Sequence, residues 1–307
     1  MPGRIAAAAA LAVLLLAPLQ ALAGLALLFE PVSGKVLYAE DPDLSWHPAS
    51  LTKLMTVYVA FGAISRGELT MEDKVICSAN ANKQPPSKIG LPVGAEMGVG
   101  LALRVLLVKS ANDVAVMLAE KVGGSEAKFI DQMNAAAERL GMTRTHYVNP
   151  HGLPDDRQVT TARDLAILTR AIMKEYPDYA DLFALPYVKV GKRRMNNHNS
   201  LLRSYIGADG MKTGFICASG YNVVASATRD RVRLVAVVLG ARTGQSRLVR
   251  ASELLDHGFE WYRWKALFAR KLDRLPVQQA ALAEPATDLH ANVCGGRRPA
   301  SSHRGKR

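Results

Sequence analysis

Two periodicities divide this chain. Leu25 to Phe29 and Lys35 to Ala39 are short β-like runs joined by Glu30-Pro-Val-Ser-Gly34, a turn composition that predicts a hairpin. The period then lengthens: Leu51, Leu54, Met55 and Tyr58 recur at helical spacing behind Pro48, which favours a helix start. Further helices are predicted over Leu101–Val108, Asp113–Val122 and Ser125–Leu140, the last closed by Gly141. Thr161-Ala-Arg-Asp164 is a capping signal for another, running to about Glu175. After Leu185 the period shortens again, and Tyr221–Thr228 and Val232–Leu239 are β-branched runs either side of the polar turn Arg229-Asp-Arg231. An amphipathic helix over about Gln245–Trp261 follows, with a further helical stretch at Gln278–Glu284. Strands at both ends with helices between imply an α+β fold, an antiparallel sheet flanked by helices and interrupted by a helical insertion.

The first residues stand outside that pattern. Arg4, the apolar run Ile5–Leu16 and the small-x-small site Ala21-Leu-Ala23 read as a secretory signal over residues 1–23, with an uncleaved anchor helix as the alternative. Either way the body is exported, to the periplasm or the outer face of the cell membrane. Residues 24–264 then form the folded domain, and 265–307 a basic, largely disordered extension. With 49% hydrophobic and 21% charged residues the chain is of ordinary globular composition. Its formal charge is +12, of which the last 23 residues contribute +4 and the signal +1, leaving +7 on the body. That suits an anionic wall or lipid surface, which the basic tail could touch; export and the lack of a basic-aromatic motif argue against nucleic acid. Cys77, Cys217 and Cys294 are odd in number and lack C-x-x-C spacing, so the reading is buried or free thiols, with room for one disulfide and none for a zinc site.

Three triplets carry chemistry. Ser50-Leu-Thr-Lys53 sets a hydroxyl and an amine three residues apart at a helix start, on one face and within mutual reach. Burial and a nearby cation would strip the amine of its proton and make it a base. Ser110-Ala-Asn112 supplies a hydroxyl for proton relay and an amide for a peptide carbonyl. Lys212-Thr213-Gly214 opens an extended segment, where a cation and a hydroxyl would project beside a glycine that admits substrate backbone. Each has a decoy: Ser125-Glu-Ala-Lys128, Ser78-Ala-Asn80 and Arg242-Thr-Gly244. Ser125 lies among charged residues and Ser78 in a polar stretch, whereas Ser110 sits between core-forming segments.

The order Ser-x-x-Lys, Ser-x-Asn, Lys-Thr-Gly is shared by penicillin-binding proteins and class A β-lactamases. Pro48-Ala-Ser-Leu-Thr-Lys-Leu-Met-Thr56, Lys109-Ser-Ala-Asn-Asp113 and Gly210-Met-Lys-Thr-Gly-Phe215 resemble the low-molecular-mass D-alanyl-D-alanine carboxypeptidases, peptidase family S11, as do His151-Gly-Leu153 and Asn197-His-Asn-Ser-Leu-Leu202. The resemblance spans about Leu25–Trp261 and implies a β-lactamase/transpeptidase-like fold. It implies Ser50 as nucleophile, Lys53 as general base, Ser110 as proton shuttle and Asn112 orienting the acyl side. Lys212, Thr213 and Arg242 would hold the terminal carboxylate beside Gly214, and the N–H groups of Ser50 and Phe215 would form the oxyanion hole. Peptidoglycan stem peptides are the implied substrate, β-lactams the covalent inhibitors, and neither metal nor cofactor is required. Ile216 stands where many relatives carry threonine, making the pocket floor more apolar, and nothing after Trp264 is long enough for the extra β-rich domain some relatives carry.

Rival readings are weaker. A class A β-lactamase needs a loop carboxylate for its deacylating water, and His146–Thr161 offers only Asp155 and Asp156 in a Pro-Asp-Asp turn. A Ser-His-Asp hydrolase would use His151 or His198, but no G-x-S-x-G elbow exists and both histidines read as structural. A non-catalytic wall-binding protein would not keep Ser50, Lys53, Ser110 and Lys212 together. An endopeptidase cutting D-alanyl cross-links would use the same site.

Overall fold

The computed structural model describes residues 25–278, 281 and 284–295. In chain order it contains β1 (Ala26–Phe29), β2 (Val36–Glu40), α1 (Lys53–Ser65), β3 (Lys74–Ile76), α2 (Ala79–Asn82), β4 (Glu96–Gly98), α3 (Val99–Val108), α4 (Asn112–Gly123) and α5 (Glu126–Leu140). Then come α6 (Ala162–Glu175), β5 (Tyr187–Val190), β6 (Arg193–Asn196), α7 (Leu201–Ser204), β7 (Ala208–Ile216), β8 (Gly220–Arg229), β9 (Val232–Ala241), α8 (Gly244–Phe268) and α9 (His290–Val293).

The five-stranded sheet has the order β2-β1-β9-β8-β7, antiparallel throughout. Side chains alternate along a strand, so a strand covered on both faces is apolar at every position yet feeds two cores. On β9, Val235, Val237 and Leu239 enter the main core with α1, α3, α4 and α6, while Leu234, Ala236 and Val238 pack on Ala251, Leu254 and Leu255 of α8. β1 divides the same way, Leu27 and Phe29 against Ala26 and Leu28. Each fully buried leucine or valine contributes about 1.5–3 kcal/mol. α1 has no solvent face over most of its length: Lys53 to Ala63 are all buried, which is why its first residue reaches the interior.

Capping agrees with the sequence. The hydroxyls of Ser125, Thr161 and Thr243 accept from backbone N–H groups three residues on, and Gly141 ends α5 in the left-handed conformation. Asp43 and Arg163 form a nearly buried ion pair, 2.8 Å between Nη2 and Oδ2, which fixes the approach to Ser50 against the start of α6.

Three expectations change. α8 runs to Phe268, past Trp261 and past the expected end of the folded domain; residues 270–272 pair with the turn at Gly34 and Val36, so the described part of 265–278 is packed on the body. The helical insertion also carries the hairpins β3–β4 and β5–β6. The free-thiol reading holds only for buried Cys77, because Cys217 and Cys294 are joined in a disulfide across 77 residues. Their Cα atoms, 5.7 Å apart, meet only because the segment around α9 folds back on the β7–β8 turn. The signal and the end of the basic tail lie outside the described residues, as does most of Gln278–Glu284. No described helix is long and apolar enough to cross a membrane.

Candidate active site

Ser50 lies in a single 3-10 turn, Ala49–Thr52, that opens directly into α1. The preceding residue, Ala49, has φ +48, a conformation L-residues rarely adopt and one imposed by its surroundings. Two glycines press on it. A Cβ on Gly152 would stand 1.8 Å from the Ala49 carbonyl oxygen, and one on Gly214 3.1 Å from the Ser50 nitrogen. The turn is therefore wedged between the 149–153 loop and β7.

Lys53 Nζ makes three contacts: 3.1 Å to Ser50 Oγ, 2.8 Å to Asn112 Oδ1 and 2.5 Å to the His151 carbonyl. An ammonium would spend all three hydrogens on these. A neutral amine would keep two for the carbonyl and amide oxygens and turn its lone pair to the serine hydroxyl. Complete burial, and then the charge of Lys212, hold Lys53 well below the usual lysine range, against a smaller opposing pull from Asp113. Asp113 is itself buried and accepts from the Ile89, Gly90 and Val114 N–H groups.

Ser110 sits between α3 and α4 at φ +60, and the chain is held there by Asn112 N–H on the Ser87 carbonyl and by the Ser87 hydroxyl on the Lys109 carbonyl. Its Oγ accepts from Lys212 Nζ at 2.9 Å, and Lys212 also donates to the Thr213 carbonyl at 2.8 Å. Burial, with Arg247 adding to it, lowers Lys212 to about 7. Asn112 Nδ2 donates to the Pro85 carbonyl at 2.9 Å, so this amide bridges Lys53 to the 85–87 loop besides facing the cavity.

Ser50, Ser110, Asn112, Thr213, Gly214 and Phe215 all line one cavity of about 410 Å³, with Lys53 and Lys212 buried in its floor. Arg242 does not line it. The chain leaves β9 there and Arg242 is exposed in the loop that Thr243 caps into α8. Arg247, one turn into α8, lines the cavity instead, its guanidinium 5.7 Å from the Tyr221 ring centre. No local pattern singles out Arg247, whose place depends on the direction in which α8 leaves the sheet. His151 and His198 also line the cavity; burial and the nearby lysines lower them to about 3 and about 4, so both are neutral rings at pH 7. Their sequence reading as purely structural therefore misses their place at the site. Among the described residues no cluster of His, Cys, Asp or Glu could hold a metal.

The decoys lie elsewhere. Ser78 caps α2 and its hydroxyl donates to Glu120, while Asn80 donates to Glu126. Ser125 caps α5. Asp155 is paired to Arg157 and neither Asp155 nor Asp156 lines the cavity.

A family model described as D-alanyl-D-alanine carboxypeptidase matches residues 13–243. D-alanyl-D-alanine carboxypeptidase DacF of Bacillus subtilis is 35% identical over 80% of this chain and 64% of its own length. DacC of Escherichia coli is 36% identical over 77% of this chain and 61% of its own. The chain thus spans a little over 60% of the length of these curated relatives. Among solved structures, penicillin binding protein 5 from Haemophilus influenzae superposes with TM-score 0.75 at 36% identity, covering 78% of this chain and 71% of that one. Penicillin-binding protein D2 from Listeria monocytogenes, in its cefotaxime-bound form, gives 0.70 at 30%, covering 77% and 97%.

Proposed function

The chain belongs to the D-alanyl-D-alanine carboxypeptidase family, peptidase S11, and from that premise we propose that it is an exported serine carboxypeptidase that removes the terminal D-alanine from peptidoglycan stem pentapeptides. The observation that carries the proposal is Lys53 Nζ, stripped of water and 3.1 Å from Ser50 Oγ.

Neutral Lys53 takes the hydroxyl proton as Ser50 Oγ attacks the carbonyl between the two D-alanines. The developing oxyanion is met by the N–H groups of Ser50 and Phe215, a pairing supported by the close approach of Gly214 to the Ser50 nitrogen. The amide bond breaks as its nitrogen receives the proton that Lys53 took, passed on through the Ser110 hydroxyl, which returns Lys53 to its neutral form; Lys212 orients that hydroxyl by donating to Ser110 Oγ. D-Alanine leaves and the shortened peptide stays esterified to Ser50. Water then attacks that ester, Lys53 again taking the proton, and Ser50 is regenerated.

The terminal carboxylate of the substrate lies against Lys212, Thr213 and Arg247. The Arg247 guanidinium donates to no protein acceptor among the described residues, so its fork is available to an anion in a bidentate pair. An incoming carboxylate also favours the charged form of Lys212. β-Lactams acylate the same Ser50 and persist: among the described residues no carboxylate lines the cavity to activate water, and the ring-opened adduct has no departing D-alanine to clear the way for it.

The test is release of D-alanine from a pentapeptide ending in D-Ala-D-Ala, by the purified chain and by Ser50→Ala. Release that the substitution abolishes supports the proposal. A chain that forms a penicillin adduct and releases no D-alanine, but splits cross-linked dimers into monomers, is an endopeptidase instead.

A further inference from the structure

The disulfide lies at the rim of the cavity and takes no part in the chemistry at Ser50. Cys217 follows Ile216 and Phe215, both of which line the cavity. β7 is the outermost strand of the sheet, so among the described residues β8 is its only strand neighbour. Phe215 and Ile216 are the last residues to pair before the turn, with Tyr221 and Gly220, at the hairpin end where local opening is easiest.

Three groups hold that turn from outside the hairpin ladder. The Trp46 indole donates to the Ser219 carbonyl at 3.1 Å. Leu289 N–H donates to the Ala218 carbonyl at 2.8 Å, and the Leu289 side chain is buried in the main core, close against Gly220. Cys294 closes covalently onto Cys217. The second and third come from one short segment, Glu284–Gly295, whose single helical turn His290–Val293 is far too short to persist by itself. The covalent bond ties the far end of this segment to the turn, beyond the reach of the Leu289 contacts.

Building on the proposed role of Ser50, we infer that the Cys217–Cys294 bridge makes residues 284–295 a positioning element of the active site, holding the Phe215–Ile216 end of β7 at the separation from Ser50 that acylation requires. Without it the hairpin end gains freedom and the Phe215 N–H no longer stands preorganised at the oxyanion. Lys212 and Thr213 lie farther along β7, where they pair with Val224 and Val223 of β8, and keep their hold on the ground state. Deleting an oxyanion donor outright costs about 10²–10³ in rate, and loosening one costs less, about tenfold. The loss falls on the acylation rate at saturation and leaves the half-saturating concentration within about twofold.

The test compares the full chain, its bridge verified by thiol alkylation and mass, with Cys217→Ser, Cys294→Ser and the double variant. Acylation by benzylpenicillin is followed as a function of concentration, at a temperature where melting curves show every protein folded. The expected result is the same roughly tenfold fall in all three variants, since either serine breaks the one bond. Should the variants fail to fold, native wild type reduced with a phosphine and alkylated below its unfolding temperature provides the comparison. Folded, bridge-free protein that acylates at the wild-type rate, or that loses only affinity, would overturn the inference alone. A bridged wild type that is never acylated would remove the reading of Ser50 and this inference with it.

Discussion

Replacing Gly152 with alanine should disable a serine it does not touch chemically. A Cβ at this position would lie 1.8 Å from the Ala49 carbonyl oxygen, 2.3 Å from the Ala49 carbonyl carbon and 2.9 Å from Thr52 Oγ1. Carbon and oxygen rest comfortably at about 3.5 Å, so the Ala49 carbonyl must retreat by more than about 1 Å. It has little room. Ala49 already sits at φ +48, and on its far side Gly214 packs against the Pro48 carbonyl and the Ser50 nitrogen. The shift therefore passes into Ser50, and a displacement of about 1 Å at a reacting atom costs about 10² in rate. Gly152 also has φ +84, where alanine costs about 1–2 kcal/mol through backbone sterics alone. Gly141→Ala separates the two effects, because Gly141 has φ +77 and nothing within 4 Å of the methyl that alanine would add. The assay is the rate of penicillin adduct formation by mass spectrometry beside thermal melting. Gly141→Ala should lose about 1 kcal/mol and acylate normally, and Gly152→Ala should lose at least about a hundredfold in acylation. Gly152→Ala within about threefold of wild type would refute the wedge.

Two further outcomes follow from charge. With a carboxylate-ended substrate, kcat/KM should rise with pH as Lys53 sheds its proton, then fall as pH passes the Lys212 value of about 7 and that cation is lost; amidating the substrate terminus should remove the alkaline fall, and a profile unchanged by amidation would contradict the assignment of Lys212. Asp43→Asn leaves Arg163 without its buried counter-ion and should cost about 3–5 kcal/mol in denaturant unfolding, where a loss under about 1 kcal/mol would show the pair to be idle. Burial raises Asp43 but Arg163 outweighs it and holds the folded value below 3.8, so this contribution is present above that value and lost as pH falls through the folded one.

Much of this molecule can be read from the chain. The hairpin at Leu25–Ala39, the helix from Ser125 to Leu140, the cap at Thr161 and the central strands announce themselves because local pattern and tertiary burial agree. Ser110 is separable from Ser78 for the same reason: one lies between buried helices, the other caps a four-residue turn. What stays hidden depends on distant contacts. The pairing of Cys217 with Cys294 needs a return of the chain that no local signal encodes. Arg242 repeats the Lys-Thr-Gly spacing and so attracts the carboxylate role, whereas Arg247 acquires it only through the direction of α8. α8 continues past Trp261 because Tyr262 and Lys265 still lean on the sheet, although the exposed Trp264, Leu267 and Phe268 blur its amphipathic pattern. The histidines give no hint of their place, since His151 serves Lys53 through its backbone carbonyl.

The most direct measurement is to map the penicillin adduct. Wild type should carry one adduct on the peptide containing Ser50 and none after Ser50→Ala. Lys53→Arg, whose guanidinium stays charged and cannot accept the proton, should slow its formation by about 10²–10⁴. An adduct on another residue, no adduct, or an arginine variant acylated at the native rate would contradict the pairing of Ser50 with Lys53.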